Sequence, residues 1–268
     1  FETVGVALEY PLSESSTSIT VDNQIPAGNI AFEKIVGDDV YVHQELRDTK
    51  GDWFYWAMRV KGAQGRTLKF HFTKSVAVGV RGPCVSLDRG RTFAFAAEQG
   101  CTRNEFTYTF PKDADEVWFY ECHPYMPSEW EAFLARHASV RGKWFETGVL
   151  CKTKKGRDVP KARFGHLAPN PRYRIFLSSR HHCSETMGTP VVEGVVAAFL
   201  ADDELGRWLR ANVELLVVPF MDYDGAVDGD QGKNRAPHDH NRDYNTFVHR
   251  ETKATTEWIA SQTGNNLD

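Results

Sequence analysis

Val213 to Phe220 is a nearly continuous apolar run, broken only by Glu214 and Pro219. A strand with one wet face alternates apolar and polar residues, whereas a run like this is typical of a strand covered on both faces. The surrounding segments supply what such a strand needs. Arg172 to Ser179 has the apolar centre Ile175-Phe176-Leu177 and reads as a second strand. Between the two, Val192, Val195, Val196, Phe199 and Leu200 recur at helical spacing, with Pro190 suited to the first turn. Thr252 to Ser261 reads as another helix, with Ala254, Trp258 and Ile259 on one face. Strand, helix, strand, helix is the α/β pattern of a sheet with helices packed against it. Upstream, Phe145 to Cys151 and Asp158 to Phe164 flank the polar stretch Lys152 to Arg157 and read as a hairpin.

The first half has a different texture. Trp53, Tyr55, Ala57 and Arg59 alternate with Phe54, Trp56, Met58 and Val60, a pattern suited to a pleated, half-buried surface. Leu68 to Thr73 follows a glycine-rich turn at Gly62 to Gly65, which predicts a neighbouring antiparallel strand. Phe106 to Phe110 and Glu116 to Tyr120 are two more runs, divided by the turn residues Pro111 to Asp115. Short strands so divided indicate a β-sandwich. Ser128 as N-cap and Glu131 three residues on predict a helix ending near His137. The expected fold class is therefore α/β with an N-terminal all-β domain: a β-sandwich over residues 1–138, then a mixed-sheet α/β domain over 139–268.

Charge and composition narrow the function. A formal net charge of -4 argues against a general nucleic-acid binder. No apolar run approaches the roughly 20 residues needed to cross a bilayer. The five cysteines (Cys84, Cys101, Cys122, Cys151, Cys183) form no C-x-x-C pair, and an odd number leaves at least one free thiol, so the redox compartment stays open. The first residue is Phe1, which a removed leader or a trimmed start explains equally well.

Chemistry concentrates where the strand ending near Ser179 hands over to the following helix. Arg180-His181-His182-Cys183-Ser184-Glu185-Thr186 contains H-x-x-E, an imidazole and a carboxylate that one zinc ion can accept together. Ligands of open α/β sheets bind outside the carboxyl ends of strands, where this segment sits. A hydrogen-bonded His–Glu surface pair would read the same way. Two further segments bear on the choice. Asp222-Tyr223-Asp224-Gly225 is an acidic turn at the end of the second strand. Arg235 and then Asp239-His240-Asn241-Arg242 follow in a polar loop whose arginines can fork onto a carboxylate.

Taken together, these residues resemble the M14 (carboxypeptidase A-like) zinc carboxypeptidases, in which a strand leads to H-x-x-E, a second to N-P-D-G, and an Arg and an N-R pair follow. The order and relative positions agree over residues about 145–265. The front half resembles the β-sandwich of cytosolic carboxypeptidases, through Asp52-Trp53-Phe54-Tyr55-Trp56 and His123-Pro124-Tyr125. The resemblance implies Zn2+ held by His182 and Glu185, with Arg235 polarising the scissile carbonyl. It also implies Asn241 and Arg242 holding the terminal carboxylate of a peptide or protein substrate. The departures are Cys183-Ser184 inside H-x-x-E, where H-P-G-E is usual, Asp222-Tyr223 in place of N-P, and His240 in place of the Leu of D-L-N-R.

The resemblance also calls for a third zinc ligand, a His on a strand after the last helix, and then a Glu as general base. Both are expected beyond Asp268, so the chain is expected to be the front part of a longer enzyme, the competing reading being a complete but noncatalytic protein. Of the local histidines, His249 is the nearest substitute ligand and His240 a lesser one. His181 serves neither role, and His43, His71, His123, His137 and His166 have no ligand spacing. Two other readings are a zinc amidohydrolase of the aspartoacylase type and a noncatalytic carboxylate- or peptide-binding relative.

Overall fold

The structure is a computed structural model that describes residues 18–51, 54–96 and 100–263. Trp53, Asp52 and the terminal Asn265 to Asp268 fall outside those residues. In chain order the first strands are β1 (Thr20–Asp22), β2 (Ala31–Val36), β3 (Asp39–His43), β4 (Ala57–Lys61), β5 (Thr67–Phe72), β6 (Cys84–Ser86), β7 (Ala94–Phe95), β8 (Glu105–Thr109) and β9 (Glu116–Tyr120). They form two sheets, ordered β1-β4-β9-β6-β7 and β2-β3-β5-β8. Trp56, Met58, Val60, Val117 and Phe119 from one sheet meet Val40, Val42, Leu68, Phe70, Phe72 and Phe106 from the other in one core. Phe70 and Phe106 stack with ring centroids 4.6 Å apart at its centre. Aromatic pairs of this kind add about 0.5–1.5 kcal/mol beyond the area they bury.

The predicted β4–β5 pairing is corrected. β4 pairs with β1 and β9, while β5 pairs antiparallel with β8 and parallel with β3 in the opposite sheet. The turn at Gly62–Gly65 crosses the sandwich. Each strand buries one face, and two such faces are satisfied as well by opposing one another across a core as by lying edge to edge.

Helix α1 (Pro127–Arg136) ends where predicted but starts earlier. Pro127 takes the first helical position, and the carboxylate that reaches back is Glu129, accepting from the Met126 N–H at 2.7 Å. Its buried face, Trp130 and Phe133, packs with Phe145 and Phe164 of the second half. A division at residue 138 leaves this helix on the sandwich side while its apolar face lies on the other.

The second half contains β10 (Phe145–Lys152), β11 (Asp158–Gly165), β12 (Tyr173–Ser178), α2 (Gly188–Leu200), α3 (Glu204–Asn212), β13 (Val213–Val218), α4 (Tyr223–Asp228) and α5 (Arg250–Thr263). The sheet runs β10-β11-β13-β12, antiparallel except for the parallel β12–β13 pair that α2 and α3 connect. β13 is buried along its whole length. Val213, Leu215 and Val217 face α1 and α2 in one core, and Leu216 and Val218 face Trp258 of α5 in another. Its one charge, Glu214, is neutralised by Arg163 and by Arg174 at 3.0 Å. No helix among the described residues is long and apolar enough to cross a membrane.

Candidate metal and carboxylate site

β12 and β13 lie side by side and run the same way, so the segments leaving their carboxyl ends meet. The Met221 N–H donates to the Ser179 carbonyl and the Asp222 N–H to the Arg180 carbonyl, both at 2.9 Å. Arg180 turns the chain away from the strand with φ of 63°, a left-handed conformation that costs a non-glycine residue energy. Its buried guanidinium holds that turn by donating to the Cys183 carbonyl at 2.5 Å and the Tyr125 carbonyl at 3.0 Å.

The turn brings the H-x-x-E residues together. The Glu185 N–H donates to the His182 carbonyl at 3.1 Å, and Glu185 Oε1 stands 2.9 Å from His182 Nδ1. The other ring nitrogen, Nε2, faces Asp239 Oδ1 at 3.1 Å. Asp239 also accepts from the backbone N–H groups of Asn234 and Asn241. Against the cost of burial, the Asn234 N–H and the nearby His182 hold this carboxyl below the usual range. Metal-bound histidines characteristically present one nitrogen to the ion and the other to a carboxylate. With Glu185 beside Nδ1 and Asp239 fixing Nε2, the residues fit one metal ion.

His182, Glu185 and Asn241 line a common open cleft of about 490 Å³, together with His181, Arg180 and Val191. Asn241 Oδ1 is buried with no hydrogen-bond partner. Arg242 is exposed and lies outside the lining of this cleft, next in sequence to Asn241, and among the described residues no side chain pairs with its guanidinium. His181 Nε2 lies 2.8 Å from the Tyr244 hydroxyl, and burial, then His182, push its imidazole down to about 4. It stays neutral at physiological pH.

Arg235 sits differently from what its motif implies. Its guanidinium is turned to Asp222 at 2.8 Å, Asp230 at 3.1 Å and Asp48 at 3.1 Å, and it does not line the cleft. Asp48 comes from the sandwich, and the same region is stitched further. Gln231 exchanges hydrogen bonds with the backbone of Tyr55, and Arg47 reaches Asp230 at 2.9 Å. Gly225 makes room for this arrangement: a Cβ there would lie 2.5–2.6 Å from Asp222 Oδ2, Arg235 Nη2 and Cys183 Sγ. The acidic turn is in fact the start of α4, with Asp222 capping it by accepting from the Gly225 N–H at 3.0 Å.

The chain is 25% identical over 271 residues to cytosolic carboxypeptidase 2 of Danio rerio, covering 88% of this chain and 37% of that protein. It is 26% identical over 273 residues to cytosolic carboxypeptidase 3 of Bos taurus, covering 90% and 27%. Among solved structures, a metallo-carboxypeptidase from Burkholderia cenocepacia superposes with a TM-score of 0.79 at 20% identity, covering 94% of this chain and 68% of that one. Its fold is the metallo-carboxypeptidase fold. A metallo-carboxypeptidase from Pseudomonas aeruginosa, crystallised with (2-guanidinoethylmercapto)succinic acid, superposes with a TM-score of 0.75 at 18% identity, covering 90% and 66%. No family model matches the chain. The chain thus spans about a third of the curated relatives' length and about two thirds of the solved metallo-carboxypeptidases.

Sequence reasoning noticed Asp239 only as part of a motif and missed it as the partner of His182. No local pattern signals that partnership, because the two residues are 57 apart in sequence. Nothing in the sequence pointed to Asp48 or Asp230 as partners of Arg235.

Proposed function

We propose that the chain carries the zinc-binding and carboxylate-anchoring part of a metallocarboxypeptidase that hydrolyses the C-terminal bond of a peptide or protein. The observation that carries this is the Glu185–His182–Asp239 array at the carboxyl end of β12, opening into the same cleft as Asn241. His182 and Glu185 would hold the zinc, which when bound supplies a water acidified towards about pH 7 and polarises a carbonyl. The chain's own residues account for binding and orientation. Asp239 fixes the His182 ring so that Nδ1 keeps its lone pair towards Glu185. The exposed Arg242 guanidinium, with no side-chain partner among the described residues, forks onto the substrate's terminal carboxylate, and the Asn241 side chain adds a hydrogen bond beside it.

Arg235 serves as a positioning residue in this reading. Reaching a substrate carbonyl would require it to leave Asp222, a fully buried carboxylate, and the loss would exceed what one exposed hydrogen bond returns. The sandwich acts through Asp48 and Tyr55 as the wall against which that loop is set.

The test uses the full-length protein: zinc content, release of C-terminal amino acids from peptides, and Arg242→Ala. The variant should lose about tenfold or more in kcat/KM on peptides with a free carboxylate and little on blocked ones, as expected for one charge-assisted contact of about 1.5–3 kcal/mol. Equal loss on both would remove Arg242 as the anchor. Cleavage confined to N-acyl amino acids would make the enzyme an amidohydrolase of the aspartoacylase type instead.

A further inference from the structure

A second group of ligand-bearing side chains lies apart from His182 and Glu185. His240, His249 and Glu251 each offer one ligand atom, and these atoms lie within 4.8 Å of one another. His240 is 2% exposed and Glu251 7%, while His249 is half-buried. The two imidazoles lie with ring centroids 4.0 Å apart. His240 Nδ1 is buried with no hydrogen-bond partner, and its Nε2 stands 3.9 Å from Glu251 Oε2, too far for a hydrogen bond. That contact is the only ion pair of Glu251 among the described residues. Two buried groups and a half-buried imidazole thus face one another without satisfying one another, an arrangement that costs stability unless something joins them.

The tautomers favour a cation as the joining group. His249 Nε2 lies 2.8 Å from the His238 carbonyl, which can only accept, so Nε2 carries the proton and Nδ1 keeps a lone pair. His240 has no hydrogen bond at Nδ1 and none within reach at Nε2, so the unprotonated nitrogen of its neutral ring is open to a cation.

We propose that His240, His249 and Glu251 form a second divalent-cation site, suited by two imidazoles and one carboxylate to zinc. Donor atoms about 2.0–2.1 Å from a tetrahedral zinc stand roughly 3.3 Å apart, so the trio needs a side-chain contraction of about an ångström or somewhat more. The fourth position falls to solvent. His240 opens the 3-10 turn His240–Asn245 that carries Asn241 and Arg242, and Glu251 lies in the first turn of α5. A bound ion would therefore brace the loop to that helix.

The experiment titrates the chain with Co2+ and Zn2+ in a His182→Ala/Glu185→Ala background, which removes the first pair. About one equivalent should bind, with the visible absorption of low-symmetry Co2+ and a rise in Tm on metal addition. Adding the isosteric Glu251→Gln, or His249→Ala, should weaken binding at least about tenfold and abolish the Tm rise. Should either variant fail to fold by circular dichroism, Glu251→Gln alone in the otherwise native chain should bind one ion fewer than the parent. The proposal is overturned if the background variant binds neither ion, or if its binding is indifferent to both substitutions.

Discussion

Replacing Arg235 by alanine isolates the energetics of the carboxylate cage that holds the loop. Asp222 is fully buried, and even with Arg235 beside it burial lifts its carboxyl from the ordinary 3.8 to about 6. A raised acid favours the folded state when protonated, so its contribution is most favourable below about pH 4 and declines as pH rises through 6. At neutral pH the ionised carboxylate already costs the fold about 3 kcal/mol by that shift. Removing the arginine leaves Asp222, Asp230 and Asp48 without their shared cation. Breaking a buried pair in this way costs about 3–5 kcal/mol, a large fraction of the roughly 5–15 kcal/mol that holds a domain folded. The cost should be largest near pH 8 and shrink towards pH 5, where Asp222 is mostly protonated in both proteins. Urea unfolding of Arg235→Ala and the parent chain at the two pH values reads it directly. The double variant with Asp222→Asn should recover part of the loss. A difference below about 1 kcal/mol at pH 8, or one equal at both pH values, would refute the reasoning.

Other outcomes follow from the site's geometry. Asp239→Asn should weaken zinc at His182 and Glu185 by about 10–100-fold, since an amide orients the ring less firmly and donates no basicity. A chelator competition in a His249→Ala background reads this site alone, and an unchanged affinity would dismiss Asp239 as the orienting carboxylate. Gly225→Ala should cost about 1–3 kcal/mol by overpacking, because its Cβ would press on Asp222, Arg235 and Cys183. A Tm within a degree of the parent would mean that the helix start shifts freely.

Much of this architecture was legible locally. The uniform apolarity of Val213 to Phe220 required cover on both sides, and α2 and α5 supply it. The hairpin of β10 and β11 and the placement of H-x-x-E after β12 were equally plain. Other features were weaker in sequence. α3, capped by Asp203, carries Leu205, Trp208 and Leu209 at helical spacing, but the pattern runs for only 9 residues and is easily passed over. α4 is one and a half turns long and reads as a turn because Asp and Gly dominate its start.

What sequence determined alone was therefore which faces are apolar and which side chains within a few residues share a turn, because both follow from local backbone periodicity. His182 with Glu185 is of that kind. Partnership across the fold was decided only by tertiary structure. β4 and β5 oppose each other across a core and do not pair. Asp239 reaches back to His182, Asp48 crosses from the sandwich to Arg235, and His240 meets His249 and Glu251. Periodicity assigns a residue to a face, but hydrogen bonds and ion pairs depend on distances of a few ångströms that only the packed elements define.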